Sequence, residues 1–232
     1  MALPLSPEAR ARILPFAAFM LVLALRGQLP EEGLVAGLPV ATVSGLLYGV
    51  QAGLAALLLA WAWRHYSELR GPAARMAARD WGLAVGVGLA VFGLWIGLDE
   101  PWMRLGEPSA GFRARDAAGE LQWGLIALRW AGAALVVPLM EELFWRGYLM
   151  RWIERADFLQ VEARTVGARA VLLSTGVFTL AHTEWLAAVL AGLAYALLYR
   201  QTGKLWTAVA AHAVTNGVLG LWVIRQGAWQ YW

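Results

Sequence analysis

Cysteine is absent from the 232 residues. That removes disulfide staples, thiolate metal sites and a cysteine nucleophile, and it leaves the compartment open. Charge is scarce too: Asp, Glu, Lys and Arg make up 15% of the chain and histidine occurs three times, against roughly 25% charged residues in soluble domains. With no internal repeat, linker or low-complexity block, residues 1–232 are expected to form a single domain. The net charge of +3 comes from basic residues in short loops between apolar runs, which is no nucleic-acid footprint.

What the chain has in excess is apolar surface, 60% hydrophobic residues with a mean hydropathy of +0.55. This predicts an all-α integral membrane protein, a polytopic transmembrane helical bundle of about seven or eight spans. The apolar stretches run over Ile13–Leu25, Val40–Trp63, Trp81–Leu98, Leu121–Met140 with a continuation to about Ile153, Ala170–His182, Trp185–Tyr199 and Leu205–Ile224. The first resembles a signal peptide, but no small-x-small cleavage site precedes Arg26, so it is expected as a retained span. Arg64, Arg70, Arg75 and Arg79, then Arg151, Arg155, Arg164 and Arg169, mark cytoplasmic loops and put the N-terminus on the cytoplasmic side. The loop from Asp99 to Glu120 falls on the opposite side. Tryptophans near the ends of runs (Trp61, Trp63, Trp81, Trp102, Trp123, Trp206, Trp222) suit an interfacial belt. Gly82, Gly86 and Gly93 are expected to let helices approach closely.

Into this apolar background the segment Val136–Gly147 sets two adjacent carboxylates, Glu141 and Glu142. An unpaired ionised carboxylate in a buried or lipid-facing segment is costly, so partners are required. Glu142 and Arg146 are four apart on one helix face and are expected as a buried bidentate pair. Glu141 points about 100° away and must find its partner on another segment. His65 sits in a basic loop and reads as a solvated surface residue. His182 follows Phe178 at helical spacing, and His212 precedes Asn216 at the same spacing. A lone intramembrane His or Asn is about as often interhelical glue as a site. Two histidines, an asparagine and two glutamates on three spans point to chemistry instead. A carboxylate and an imidazole sharing a water can activate it, and an imidazole with a carboxamide can stabilise an oxyanion.

The motifs Glu141-Glu142-Leu143-Phe144-Trp145-Arg146, Phe178-Thr179-Leu180-Ala181-His182 and His212-Ala213-Val214-Thr215-Asn216 resemble the three ordered motifs of the CAAX-protease and bacteriocin-processing (CPBP) family. This family of glutamate-type intramembrane endopeptidases includes the Ras-converting CAAX endopeptidase. The likeness covers roughly Pro138 to Gly217, within a catalytic core expected over residues 121–224. It implies that Glu141 and His182 activate the water, that His212 and Asn216 form the oxyanion hole, and that Glu142, Arg146 and Phe178 support the site, with no metal or other cofactor. A softer likeness, in Phe92–Gly97 and the tail Gly227–Trp232, is to CAAX-protease-related proteins associated with exosortase (PEP-CTERM) sorting in bacteria. It implies residence in the bacterial inner membrane, possible partnership with an exosortase-type system, and a membrane-associated protein or its sorting tail as substrate in place of a prenylated one.

Three other readings stand beside this one. Two histidines and a glutamate can hold zinc with an open position for water, although the spacing is not His-Glu-x-x-His. A proton-coupled transporter would use Glu141, His182 and His212 as a relay and gives Asn216 no task. An immunity-type or scaffold membrane protein would keep the cluster for packing alone. One distance sits awkwardly with the catalytic reading: at ~1.5 Å per residue, His212 lies ~12 Å from Lys204 while His182 lies ~20 Å from Arg169, so the two histidines meet only if the Arg169 helix starts outside the hydrocarbon or tilts.

Overall fold

A computed structural model describes residues 5–30, 33–105, 112, 115–116 and 119–232. The loop expected between Asp99 and Glu120 lies partly outside these residues. Seven helices make up the described chain: α1 (Pro7–Arg26), α2 (Val40–Trp61), α3 (Ala78–Gly97), α4 (Trp123–Glu154), α5 (Ala168–Leu180), α6 (Trp185–Thr202) and α7 (Leu205–Gln226). Between α1 and α2 lies a minimal antiparallel hairpin, β1 (Leu34–Val35) and β2 (Leu38–Pro39). Four of the helices, α2, α3, α4 and α7, are long and apolar enough to cross a membrane. Large apolar side chains face outward along the bundle, among them Leu21, Leu57, Leu135, Leu172 and Leu221, which only a lipid solvent makes inexpensive.

Helix ends follow from local chemistry. Ser6 accepts a hydrogen bond from Ala9 N–H at the start of α1, where Pro7 occupies the first turn. Gly203 and Gly227, both at positive φ, close α6 and α7. Helix α5 is 13 residues long, about 20 Å, so it is too short to span. It starts at Ala168, stops at Leu180, and leaves His182 in the turn beyond its end.

One end of the bundle gathers the charged loops. Arg12 of α1 forks onto Glu68 and also reaches the carbonyls of Glu8 and His65, and Lys204 pairs with Asp80 at 2.6 Å. Arg151 donates to the carbonyls of Val161, Leu159 and Gly147. His65 stays at this edge, 3.6 Å from Glu8. Trp61, Trp63, Trp81, Trp102 and Trp123 are exposed as a belt would require. Trp206 instead donates to the Leu69 carbonyl, and Trp222 packs on Phe92 and Tyr231.

The close helix approach falls on a different glycine from those expected. No atom lies within 4 Å of a Cβ built at Gly82, Gly86 or Gly93, whereas one at Gly88 would stand 2.5 Å from the Ala211 carbonyl oxygen and 2.8 Å from Val214 Cβ. Gly88 is therefore the residue that seats α3 against α7.

Candidate active site

Helix α4 is irregular where its chemistry lies. Residues Gly132–Val136 and Leu143–Leu149 are wound as π-helix, a form found mostly as short insertions near functional sites. Pro138 explains the first of these. It has no N–H, and the Val137 N–H reaches back to the Gly132 carbonyl, five residues away. The carbonyl of Ala133, five before Pro138, is left without a helical partner. Asn216 Nδ2 of α7 donates to it at 3.0 Å. A proline and a carboxamide 78 positions apart thus fix one contact between α4 and α7.

Glu142 is fully buried, and its Oε1 accepts from Arg146 Nη1 at 3.0 Å and from His212 Nδ1 at 2.9 Å. The pairing with Arg146 is as expected, but it is not bidentate. Arg146 Nη2 turns to the Gly192 carbonyl on α6 at 3.0 Å, and Glu142 Oε2 has no hydrogen-bond partner. The guanidinium lies over the rings of Phe178 (4.8 Å) and Tyr195 (5.5 Å), so one arginine ties α4 to α5 and α6. Tyr195 in turn stacks on the His212 ring at 5.0 Å and donates to Thr215 Oγ1 at 2.7 Å. Thr215 Oγ1 lies 2.9 Å from the Gly88 carbonyl. Nothing in the sequence singled out Tyr195; its role appears only once α6 and α7 are side by side.

Glu141 and His182 face a cavity of about 270 Å³ that His212, Asn216 and Phe178 also line. Glu141 Oε2 is enclosed and has no partner. His182 Nδ1 lies 2.8 Å from the Phe178 carbonyl. Because a carbonyl can only accept, Nδ1 carries the proton, and a neutral ring keeps its lone pair on Nε2. The same carbonyl also accepts from the Ala181 N–H at 3.1 Å, so the imidazole joins the backbone bond that closes α5. The edge of Trp95 and the face of Phe178 hold the imidazole from two sides, with centroids at 5.7 and 4.4 Å.

The short α5 removes the awkward distance between the histidines, since both now border one cavity. Five of the seven expected residues line it, and the other two, Glu142 and Arg146, are buried behind the lining. Each imidazole has one nitrogen engaged and Nε2 available. Glu184, expected as a helix-start residue, stands immediately before α6 and lines the cavity as well. Arg26, Tyr48, Gln51 and Arg129 line its far side; sequence reading left them unmarked because they lie on three helices as ordinary-looking interfacial residues.

The arrangement offers a carboxylate and an imidazole at one cavity, and facing them an imidazole backed by a buried carboxylate beside an anchored carboxamide. Residues 123–218 match the family model described as "Type II CAAX prenyl endopeptidase Rce1-like". No curated protein and no solved structure matches the chain. The matched residues span α4 to α7 and contain all three motifs and every cavity residue the motifs supply. Over that segment, the chain is similar to the CPBP/CAAX-protease family.

Proposed function

We propose that the chain is an intramembrane endopeptidase that hydrolyses a peptide bond of a membrane-associated protein by metal-free water activation. One observation carries this reading: Glu141, with an enclosed and unpartnered oxygen, shares a cavity with His182, whose Nε2 is left to accept a proton. A water held between them loses a proton to the Glu141–His182 pair as its oxygen attacks the substrate carbonyl. The oxyanion that forms is stabilised by His212 and Asn216. His212 turns Nε2 to the oxyanion while Glu142 holds the ring at Nδ1. Asn216 uses one amide N–H on Ala133 and keeps the second for the oxyanion. The proton taken from water then passes to the departing amine as the C–N bond breaks. Glu142, Arg146 and Phe178 support the site by holding His212 and the helix contacts in place.

The proposed setting is a bacterial inner membrane with the N-terminus cytoplasmic, supported by the charged loops gathered at one end of the bundle. The whole of 1–232 acts as one domain with its catalytic core in 121–224. The proposed substrate is a membrane-anchored protein or its sorting tail, as in exosortase-associated systems. Mass spectrometry of membrane-protein termini from cells carrying wild type or Glu141→Gln tests this. New termini are expected with wild type only, and their persistence in the variant overturns the mechanism.

A further inference from the structure

The end of the cavity away from Glu141 holds two arginines that no acid among the described residues answers. Arg26, the last residue of α1, and Arg129, in the second turn of α4, both line it, and their guanidinium carbons stand 5.3 and 4.3 Å from the Tyr48 ring centroid. Among the described residues neither forms an ion pair. Arg26 donates only to neutral groups, Gln51 Oε1 at 2.8 Å and Ser44 Oγ at 3.2 Å, and the Nε atoms of both arginines are enclosed without a partner. The other acids lining the cavity are Glu141 and Glu184, and Glu184 lies on the side of Arg104 and Asp99. Two like charges held together and half out of water are unfavourable unless an anion joins them.

Their position sets a length. Arg129, Ala133, Val137 and Glu141, each four residues apart, line the cavity along one face of α4, so Arg129 stands about 18 Å along the helix from Glu141 at ~1.5 Å per residue. An extended peptide covers that distance in about five residues at ~3.3–3.6 Å each. Because the arginines are continuous with the peptide site, and a guanidinium forks naturally onto a carboxylate, we propose that Arg26 and Arg129 bind a carboxylate of the substrate polypeptide. That carboxylate, a C-terminus or an Asp or Glu side chain, lies about five residues from the scissile bond. The inference rests on the peptidase reading for its substrate, while the carboxylate preference itself can be measured without cleavage.

The test uses the full chain carrying Glu141→Gln in lipid nanodiscs and three forms of one short apolar peptide. One has a free C-terminal carboxylate, the second a C-terminal amide, and the third an amide with a single Asp near that end. The free acid, the Asp peptide or both should bind at least about tenfold more tightly than the plain amide, as expected for losing a charged hydrogen-bond pair. Which of them does so identifies the source of the carboxylate. The preference should disappear in Arg129→Gln and weaken in Arg129→Lys. Equal binding of all three forms overturns the proposal, and that comparison needs no arginine variant to fold. A preference that survives in folded Arg129→Gln, or a lysophospholipid that displaces the acid peptide while acid and amide bind alike, overturns it too. A carboxylate preference in a protein whose wild type cleaves no peptide would sink the peptidase reading and leave the anion site standing.

Discussion

His212 Nδ1 and Arg146 Nη1 meet on a single oxygen, Glu142 Oε1, at 2.9 and 3.0 Å. The adjacent glutamate, one residue earlier on α4, has an enclosed oxygen that meets nothing. Neighbouring acids of identical chemistry therefore carry different loads: Glu142 holds helices together, and Glu141 is left open to the cavity.

This asymmetry predicts opposite effects of one chemical change. Glu142→Gln removes the countercharge of a buried arginine, a loss that costs about 3–5 kcal/mol when one partner of a buried pair is taken away. At ~2–4 °C per kcal/mol for a chain of this size, its melting temperature in detergent micelles should fall by about 10 °C. Glu141→Gln should melt within about 2 °C of wild type and still lose cleavage. Equal melting losses in the two variants would contradict the division of labour.

The Tyr195 side chain allows its two contacts to be separated. Tyr195→Phe keeps the stacking on His212 and loses only the hydroxyl bond to Thr215, which should cost about 1 kcal/mol. Tyr195→Ala also empties a fully buried site, at about 3–5 kcal/mol, and frees the His212 ring to reorient. Cleavage measured at a temperature where all three proteins are folded should follow wild type ≈ Phe ≫ Ala. If Phe and Ala lose activity alike, the hydroxyl matters more than the ring.

The residues that sequence could identify, and those it could not, divide on physical grounds. Glu141, Glu142, His182 and His212 stood out because ionisable groups in apolar runs demand partners, and helical spacing correctly grouped Glu142 with Arg146. Spacing along one helix cannot say which second helix arrives, so the Glu142–His212 bond and the Tyr195 stack were invisible. Glycine was misread for a related reason: Gly82, Gly86 and Gly93 look like contact residues by composition, but only the azimuth of α3 against α7 decides that Gly88 is the one covered. His182 was expected within a helix because the apolar run continues through it, whereas α5 ends two residues earlier and the imidazole caps its last turn.

That reassignment of the glycines is itself testable. Gly88→Ala puts a methyl 2.5 Å from a backbone carbonyl that cannot move aside without shifting α7, so it should destabilise by at least about 1–3 kcal/mol. Gly82→Ala meets open space and should be neutral or gain up to about 1 kcal/mol from helix propensity. Thermal unfolding of the two variants side by side distinguishes them, and a Gly88→Ala protein as stable as Gly82→Ala would mean that α3 and α7 are not in contact there.

Pro138 offers the sharpest separation of folding from chemistry. Replacing it by alanine restores an N–H that can claim a carbonyl of the preceding turn, either Ala134 in α-helical or Ala133 in π-helical spacing, and removes the reason for the π turn at Gly132–Val136. Helix α4 itself should gain, since a proline inside a helix costs about 3 kcal/mol relative to alanine, while Asn216 loses its place on the Ala133 carbonyl. Pro138→Ala should therefore melt no lower than wild type, yet cleave at least tenfold more slowly, with the loss in kcat and not in KM, because in the proposed mechanism the carboxamide acts on the oxyanion and not on the bound substrate. An Asn216→Ala change added to Pro138→Ala should then cost less activity than the same change in wild type, since the two act through one contact. Full additivity of the two would show that Pro138 reaches the chemistry by some route other than Asn216.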